Sequence, residues 1–180
     1  MKTLFLKANI LFLLLTLLSC GSNNNIDPIG NWTTPLSSDT FSGIEYLSFN
    51  NDNSFTTQDT MNFSMKEKGL KVDISYLISN SGVWSRKSDS IFVKYDSSKI
   101  NVICNSFDVS ALRQDANNDS INKFQKSMRE DFDRAIRPQL IESYQAIADQ
   151  DILLGIIKQC DHTALVLENN NVTSRFTAVR

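Results

Sequence analysis

Leu70-Lys71-Val72-Asp73-Ile74-Ser75-Tyr76-Leu77-Ile78 sets the dominant period of this chain. Leu70, Val72, Ile74, Tyr76 and Ile78 alternate with Lys71, Asp73 and Ser75. Successive side chains of a strand point to opposite faces, so this stretch is a strand with one buried and one wet side. Upstream, Phe55, Met61, Phe63 and Met65 share one parity, while Ser54, Thr56, Gln58, Thr60, Asn62 and Ser64 take the other. Turn residues punctuate such runs at Asn50-Asn51-Asp52-Asn53, Lys68-Gly69, Asn80-Ser81-Gly82, Lys87-Ser88-Asp89 and Asp96-Ser97-Ser98. The spacing predicts an antiparallel meander of about seven strands before residue 108.

The period then changes. Ile121, Phe124, Met128, Phe132, Ile136, Leu140, Tyr144 and Ile147 recur every three to four residues, which predicts an amphipathic helix at about 118–149. Asn118, Asp119 or Ser120 can cap its start, and Pro138 should kink or divide it, having no amide proton to give to the preceding turn. Lys126/Glu130, Glu130/Arg134 and Asp133/Arg137 are spaced for a solvated charged face. Strand patterns return at Ile152 to Lys158, Thr163 to Glu168 and Val172 to Val179, the last two joined through Asn169-Asn170-Asn171. Mostly β structure of about eight to ten antiparallel strands with one long helical insertion fits a closed barrel, since closure removes exposed edges. A two-sheet sandwich is the alternative.

At the N-terminus, Lys2 and Lys7 precede the apolar run Ile10 to Leu18, followed by Leu17-Leu18-Ser19-Cys20-Gly21. A charged region, a short apolar region and a small-residue cleavage site make a signal peptide, and the run falls short of the roughly twenty apolar residues a spanning helix needs. The segment resembles the lipobox of bacterial lipoprotein precursors. That resemblance implies cleavage after residue 19, acylation of Cys20 with palmitate-type chains, and a membrane anchor in the cell envelope, outer membrane facing the periplasm or the surface. Several acyl chains would make such anchoring effectively permanent.

The expected organisation is therefore a signal peptide at 1–19, a lipidated cysteine and flexible tether at 20–28, and one domain at 29–180. Residues 21–28, Gly-Ser-Asn-Asn-Asn-Ile-Asp-Pro, have little to bury. The full chain carries 18 Lys and Arg against 20 Asp and Glu, and loss of the leader takes Lys2 and Lys7 with it. An acidic balance with no basic cluster argues against a nucleic-acid partner. Beyond Cys20 only Cys104 and Cys160 remain. In an oxidising compartment they can form a disulfide, or stay apart as two buried thiols; spacing alone leaves both open.

Gly30-Asn31-Trp32 opens the first strand, Tyr46 to Phe55 makes an early hairpin, and Ser81-Gly82-Val83-Trp84-Ser85 through Lys87 to Val93 makes a later one. With the closing Leu165-Val166-Leu167 and Arg175-Phe176-Thr177, these segments look like the lipocalin-like domains of lipoproteins from the Bacteroidetes. The resemblance covers most of the chain after the tether. In lipocalins the early tryptophan closes one barrel end against an arginine, which gives that role to Trp32 with Arg175 or Arg180. The chain departs from the lipocalin pattern in lacking a Thr-Asp-x-x-Tyr segment and in placing its helix before three strands.

Catalytic signals are sparse. His162, in the turn Cys160-Asp161-His162-Thr163, is the only histidine, so any serine or cysteine nucleophile would need it as base. No nucleophile elbow, phosphate loop or zinc-protease motif is present. Cys160 with His162 makes a poor metal site, and Glu130, Asp131 and Asp133 read as a solvated helix face. No enzyme activity, cofactor or metal is expected. Asp59 is the informative polar residue: a regular strand would turn it inward beside Phe55 and Met61 to line a cavity, whereas a bulge at Gln58-Asp59-Thr60 would return it to water. Asp59-Thr60-Met61, Asp89-Ser90-Ile91 and Asp119-Ser120-Ile121 also look like the O-glycosylation acceptors of the Bacteroidetes. Two functions fit: a barrel holding a small apolar ligand, or a filled barrel serving as an accessory protein that meets another envelope protein.

Overall fold

A computed structural model describes residues 27–67, 70–111 and 118–179. Within them the chain forms strands β1 (Gly30–Ser37), β2 (Ser42–Phe49), β3 (Ser54–Glu67), β4 (Leu70–Lys87), β5 (Ser90–Tyr95) and β6 (Asn101–Ala111). Helix α1 (Asn118–Gln145) follows, then β7 (Ile152–Cys160), β8 (Ala164–Asn169) and β9 (Val172–Ala178). Every pairing is antiparallel. Hydrogen bonding runs β1-β2-β3-β4-β5-β7-β8-β9 and returns to β1, closing an eight-stranded barrel, and β6 stands outside that circuit on β4. This is the expected barrel, and the sandwich is excluded.

Two expected turns illustrate how tertiary contacts redirect local signals. Asn170 and Asn171 both adopt positive φ (50° and 63°), the geometry of a tight two-residue hairpin turn that asparagine tolerates better than most residues. Asn80-Ser81-Gly82, by contrast, is no turn but the middle of the 18-residue β4. Here β4 changes partner on one edge: Leu70 to Ser79 pair with β6, whereas Gly82 to Lys87 pair with β5. A Cβ at Gly82 would come within 1.9 Å of the Lys94 carbonyl oxygen, so the glycine serves close strand approach. Merging two expected strands into one leaves six before α1 instead of about seven.

The inward face of β3 and β4 is continuous, yet it is covered in two ways. At the barrel end, Trp32, Leu47, Phe49, Phe55, Trp84, Ile91, Val93, Leu165, Leu167 and Phe176 form one buried cluster. Phe49 stacks against Phe55 at 5.3 Å and meets the Trp84 ring edge-on at 5.5 Å. Trp32 and Trp84 place their indole N–H groups on the carbonyl oxygens of Pro28 (2.7 Å) and Asn50 (3.0 Å), so neither buried donor is left unpaired. Where β5 has left the sheet, Val72, Ile74, Tyr76, Ile78, Val102, Cys104 and Val109 are covered by Met128, Phe132, Ile136, Leu140, Ile141 and Tyr144 of α1. The helix therefore lies across the inward face of the β3-β4-β6 extension.

Several expectations need correction. Pro138 does not divide the helix: it lies within one continuous element on an exposed side, so the carbonyl that loses an amide partner belongs to a solvent-facing turn. The α-helix stops at Gln145 and a turn carries the chain to Asp149, whose φ of 60° and N–H to the Tyr95 carbonyl (2.9 Å) end it. The domain starts before residue 29: Pro28 is buried under Trp32, and Asp27 pairs with Arg86 at 3.2 Å. Cys104 and Cys160 are both free, because they belong to different clusters, Cys104 under the helix and Cys160 in the barrel. The signal peptide, Cys20 and residues 21–26 of the tether lie outside the described residues, as does the Lys68-Gly69 turn.

A buried acidic belt between two cores

β3 pairs with β2 and β4 without a register shift, so no bulge rescues Asp59. It faces inward with 6% of its surface exposed. Pairing puts Glu45 of β2 directly opposite it, and one row along the same face Thr57 sits opposite Asn80 of β4. Glu45 shares parity with Leu47 and Phe49, both buried, which turns its carboxyl toward the same interior. Thr57 and Asn80 are 3% and 4% exposed. A polar belt thus crosses β2, β3 and β4 at the point where the barrel core gives way to the core under α1.

Two tyrosines close on it from other elements. Tyr144, in the last turn of α1, donates its hydroxyl to Asp59 Oδ2 at 2.7 Å. Tyr95, the last residue of β5, packs its ring 5.6 Å from Phe55 and feels both carboxylates. Asn80 Nδ2 reaches Thr57 Oγ1 at 3.3 Å. Asp59 Oδ1 and Asn80 Oδ1 are buried without a hydrogen-bond partner.

Burial governs the electrostatics. It pushes the Glu45 carboxyl up to about 7, with the facing Asp59 adding to the shift. Asp59 is raised by burial too, against the opposing effect of the Tyr144 hydrogen bond. Burial also raises Tyr95 and Tyr144, and the neighbouring carboxylates push them further in the same direction. Each of these shifts disfavours negative charge, and among the described residues no Lys or Arg forms an ion pair with Glu45 or Asp59. The Glu45 carboxyl therefore titrates near neutral pH, and the unpartnered oxygens of Asp59 and Asn80 beside it are open acceptors.

The remaining expected site residues are scattered. Trp32 does not meet Arg175: Arg175 alternates with buried Phe176 and points outward, so Pro28 takes its place beneath the indole. Arg180 lies outside the described residues. His162 is exposed in its turn while Cys160 faces the core, and among the described residues no three His, Cys, Asp or Glu side chains gather as a metal site. Thr60 sits mid-strand between β2 and β4. On the helix, Arg134 pairs with Asp131 in the open at 3.5 Å. Asp133 and Arg137 meet at 3.4 Å on a half-buried flank that approaches Tyr76 and Cys104, not on a wholly solvated face. The Tyr76 hydroxyl, buried there without a partner, is pushed up to about 12 by burial.

Glu45, Asn80 and Tyr144 were not singled out by sequence. Parity with Leu47 and Phe49 marks Glu45 as inward, whereas the Tyr144–Asp59 contact joins positions 85 residues apart and leaves no local trace. Two surface concavities flank the belt. A groove of about 320 Å³ runs over the outer face of β1, β2 and β3 past Asn31, Tyr46, Ser48, Thr56 and Gln58. A pocket of about 170 Å³ is lined by Gly82, Tyr95, Lys94, Lys99 and Asp149. Among the described residues no helix is long and apolar enough to cross a membrane. No family model matches the chain, and no curated protein matches it in sequence.

Proposed function

We propose that this chain is an envelope lipoprotein of lipocalin-like fold, anchored through Cys20, that binds a small, largely apolar molecule and does not catalyse. The observation that carries the binding reading is the belt of Glu45, Asp59, Thr57 and Asn80. Polar groups with open valences, set in an otherwise apolar interior, are the usual make-up of a ligand site. The lipid anchor rests on the Leu17-Leu18-Ser19-Cys20 segment. A non-catalytic role rests on the exposure of the sole histidine in the turn between β7 and β8 and on the lack of a nucleophile motif in the sequence.

The barrel's own interior favours a second reading. Its cluster of aromatic and aliphatic side chains fills the end around Trp32 and Trp84, as in a barrel that serves as a scaffold for another envelope protein. Two measurements on the full chain separate the readings. Palmitate labelling in cells is expected to mark the wild type and to vanish in Cys20→Ala. An environment-sensitive apolar probe, titrated against purified protein while tryptophan fluorescence is followed, is expected to saturate at one site. Absence of saturable binding, with one envelope protein recovered by crosslinking in cells, would favour the scaffold.

A further inference from the structure

We propose that the belt binds a protonated amine, an ammonium head carried on a small apolar body. This rests on the binding reading above and names the chemistry of the guest. The groups left open are acceptors: Asp59 Oδ1 and Asn80 Oδ1 have no partner, and Glu45 brings a second carboxyl across from Asp59. An ammonium offers N–H donors and no acceptor, which is the complement of that set. A phosphate or carboxylate would be repelled, and a purely apolar guest would leave the buried acceptors without a partner.

Asn80 makes this more than a pair of acids. It belongs to another strand, is 4% exposed, and spends its amide N–H on Thr57 while its carbonyl oxygen stays open on the face that carries Asp59. Two aromatic side chains border the carboxyls, Tyr144 of α1 through its hydroxyl on Asp59 and Tyr95 of β5 with its ring against Phe55. Leu47 and Ile78, in the same rows, supply apolar surface for the body of the guest. A calcium ion is a poorer fit, because it takes six to eight oxygens and only two carboxylates converge here. Tyr95 also lines the 170 Å³ surface pocket, where Lys94 and Lys99 stand together with Asp96 and Asp149.

Proton balance follows. Without a guest the charge on Glu45, whose carboxyl burial pushes up to about 7, is relieved by protonation; an entering ammonium compensates it instead, and the Glu45 proton leaves to solvent. The groups facing the pair are Tyr95, Tyr144, Thr57 and Asn80, none of them cationic. The test is calorimetric titration of the full chain, in non-ionic detergent, with n-butylammonium and with n-butanol. One-site binding of the amine is expected, at least tenfold tighter than the alcohol, with a proton released at pH 6.5 as judged from buffers of different ionisation heat. The isosteric variants Asp59→Asn and Glu45→Gln should each lose tenfold or more while keeping the wild-type circular dichroism. Asn80→Ser should weaken the amine with no change in proton release, which guards against misfolding in the acidic variants. Equal binding of butanol, or undiminished binding in folded Asp59→Asn, overturns the proposal. If the amine fails while a neutral apolar probe still saturates, the ammonium is wrong and the binding module stands; if both fail, the binding reading falls with it.

Discussion

Phe49, Phe55, Ile91, Leu165 and Phe176 are walled in by barrel strands, whereas Val72, Ile74, Tyr76 and Val102 on the same inward face owe their cover to one helix. The fully buried members of both clusters are almost all strand residues, whereas the helix residues that cover the second, from Met128 to Tyr144, are only partly buried, as are Met61, Phe63 and Phe107 at its rim. Apolar burial contributes about 25 cal/mol per Å², so a partly buried side chain holds α1 less firmly than a closed ring of strands holds Phe55. The one hydrogen bond between the helix and the belt, Tyr144 to Asp59, is aimed at a carboxylate that burial already disfavours. The comparison predicts that the barrel keeps its fold when α1 opens, while α1, tied to β6 by Gln125 on the Val109 carbonyl and Arg129 on the Cys104 carbonyl, depends on the sheet. Opening of the helix would uncover the belt.

The largest expected effect breaks the comparison if it fails. Phe55→Ala should cost about 3 to 5 kcal/mol and lower tryptophan fluorescence and helical dichroism in a single denaturation step. Leu140→Ala should cost nearer to about 2 kcal/mol, with the helical signal lost first. Equal costs and coincident transitions in both variants would mean that the two cores are one.

Next comes pH. Glu45 is raised in the folded state from 4.5 to about 7, so the folded chain binds its proton more tightly than the unfolded chain. Its contribution is fully present below 4.5 and is lost as pH rises through 7, about 3 kcal/mol in all. Glu45→Gln should flatten the stability profile between pH 4.5 and 7.5 and leave the variant more stable than wild type at pH 8. Urea midpoints across that range check it, and an unchanged slope would place the Glu45 carboxyl in water.

Smaller still is Tyr144→Phe, which removes the hydroxyl that Asp59 accepts and leaves both carboxylate oxygens open. About 1 to 2 kcal/mol is expected, appearing as earlier loss of the helix with little change in the barrel. A loss shared equally by the barrel would show that this bond ties the two cores more tightly than the packing implies.

Much of this was legible by parity. The alternation of residues 70–78, the period change after residue 118 and the Asn170-Asn171 turn led to the barrel and its helix. Asp59 has inward parity only in a regular strand, and the turn-like Gln58-Asp59-Thr60 favours a bulge that the unbroken β2-β3-β4 register removes; the same counting places Glu45 inward and Arg175 outward beside Phe176. What stayed hidden depends on contacts distant in sequence. Asn80-Ser81-Gly82 has the composition of a turn, but its glycine admits the Lys94 carbonyl and its asparagine completes the belt. Pro138 signals a break that an exposed helix face absorbs, and the separation of Cys104 from Cys160 follows from β6 leaving the barrel circuit.

Native-state hydrogen exchange, followed by mass spectrometry in increasing sub-denaturing urea, tests the two-core account most directly. Amides of residues 118–145 are expected to open together at a free energy below that of the amides in β1, β8 and β9, which should exchange only through global unfolding. Exchange of the helix and the barrel strands at one common free energy, at every urea concentration, would contradict it.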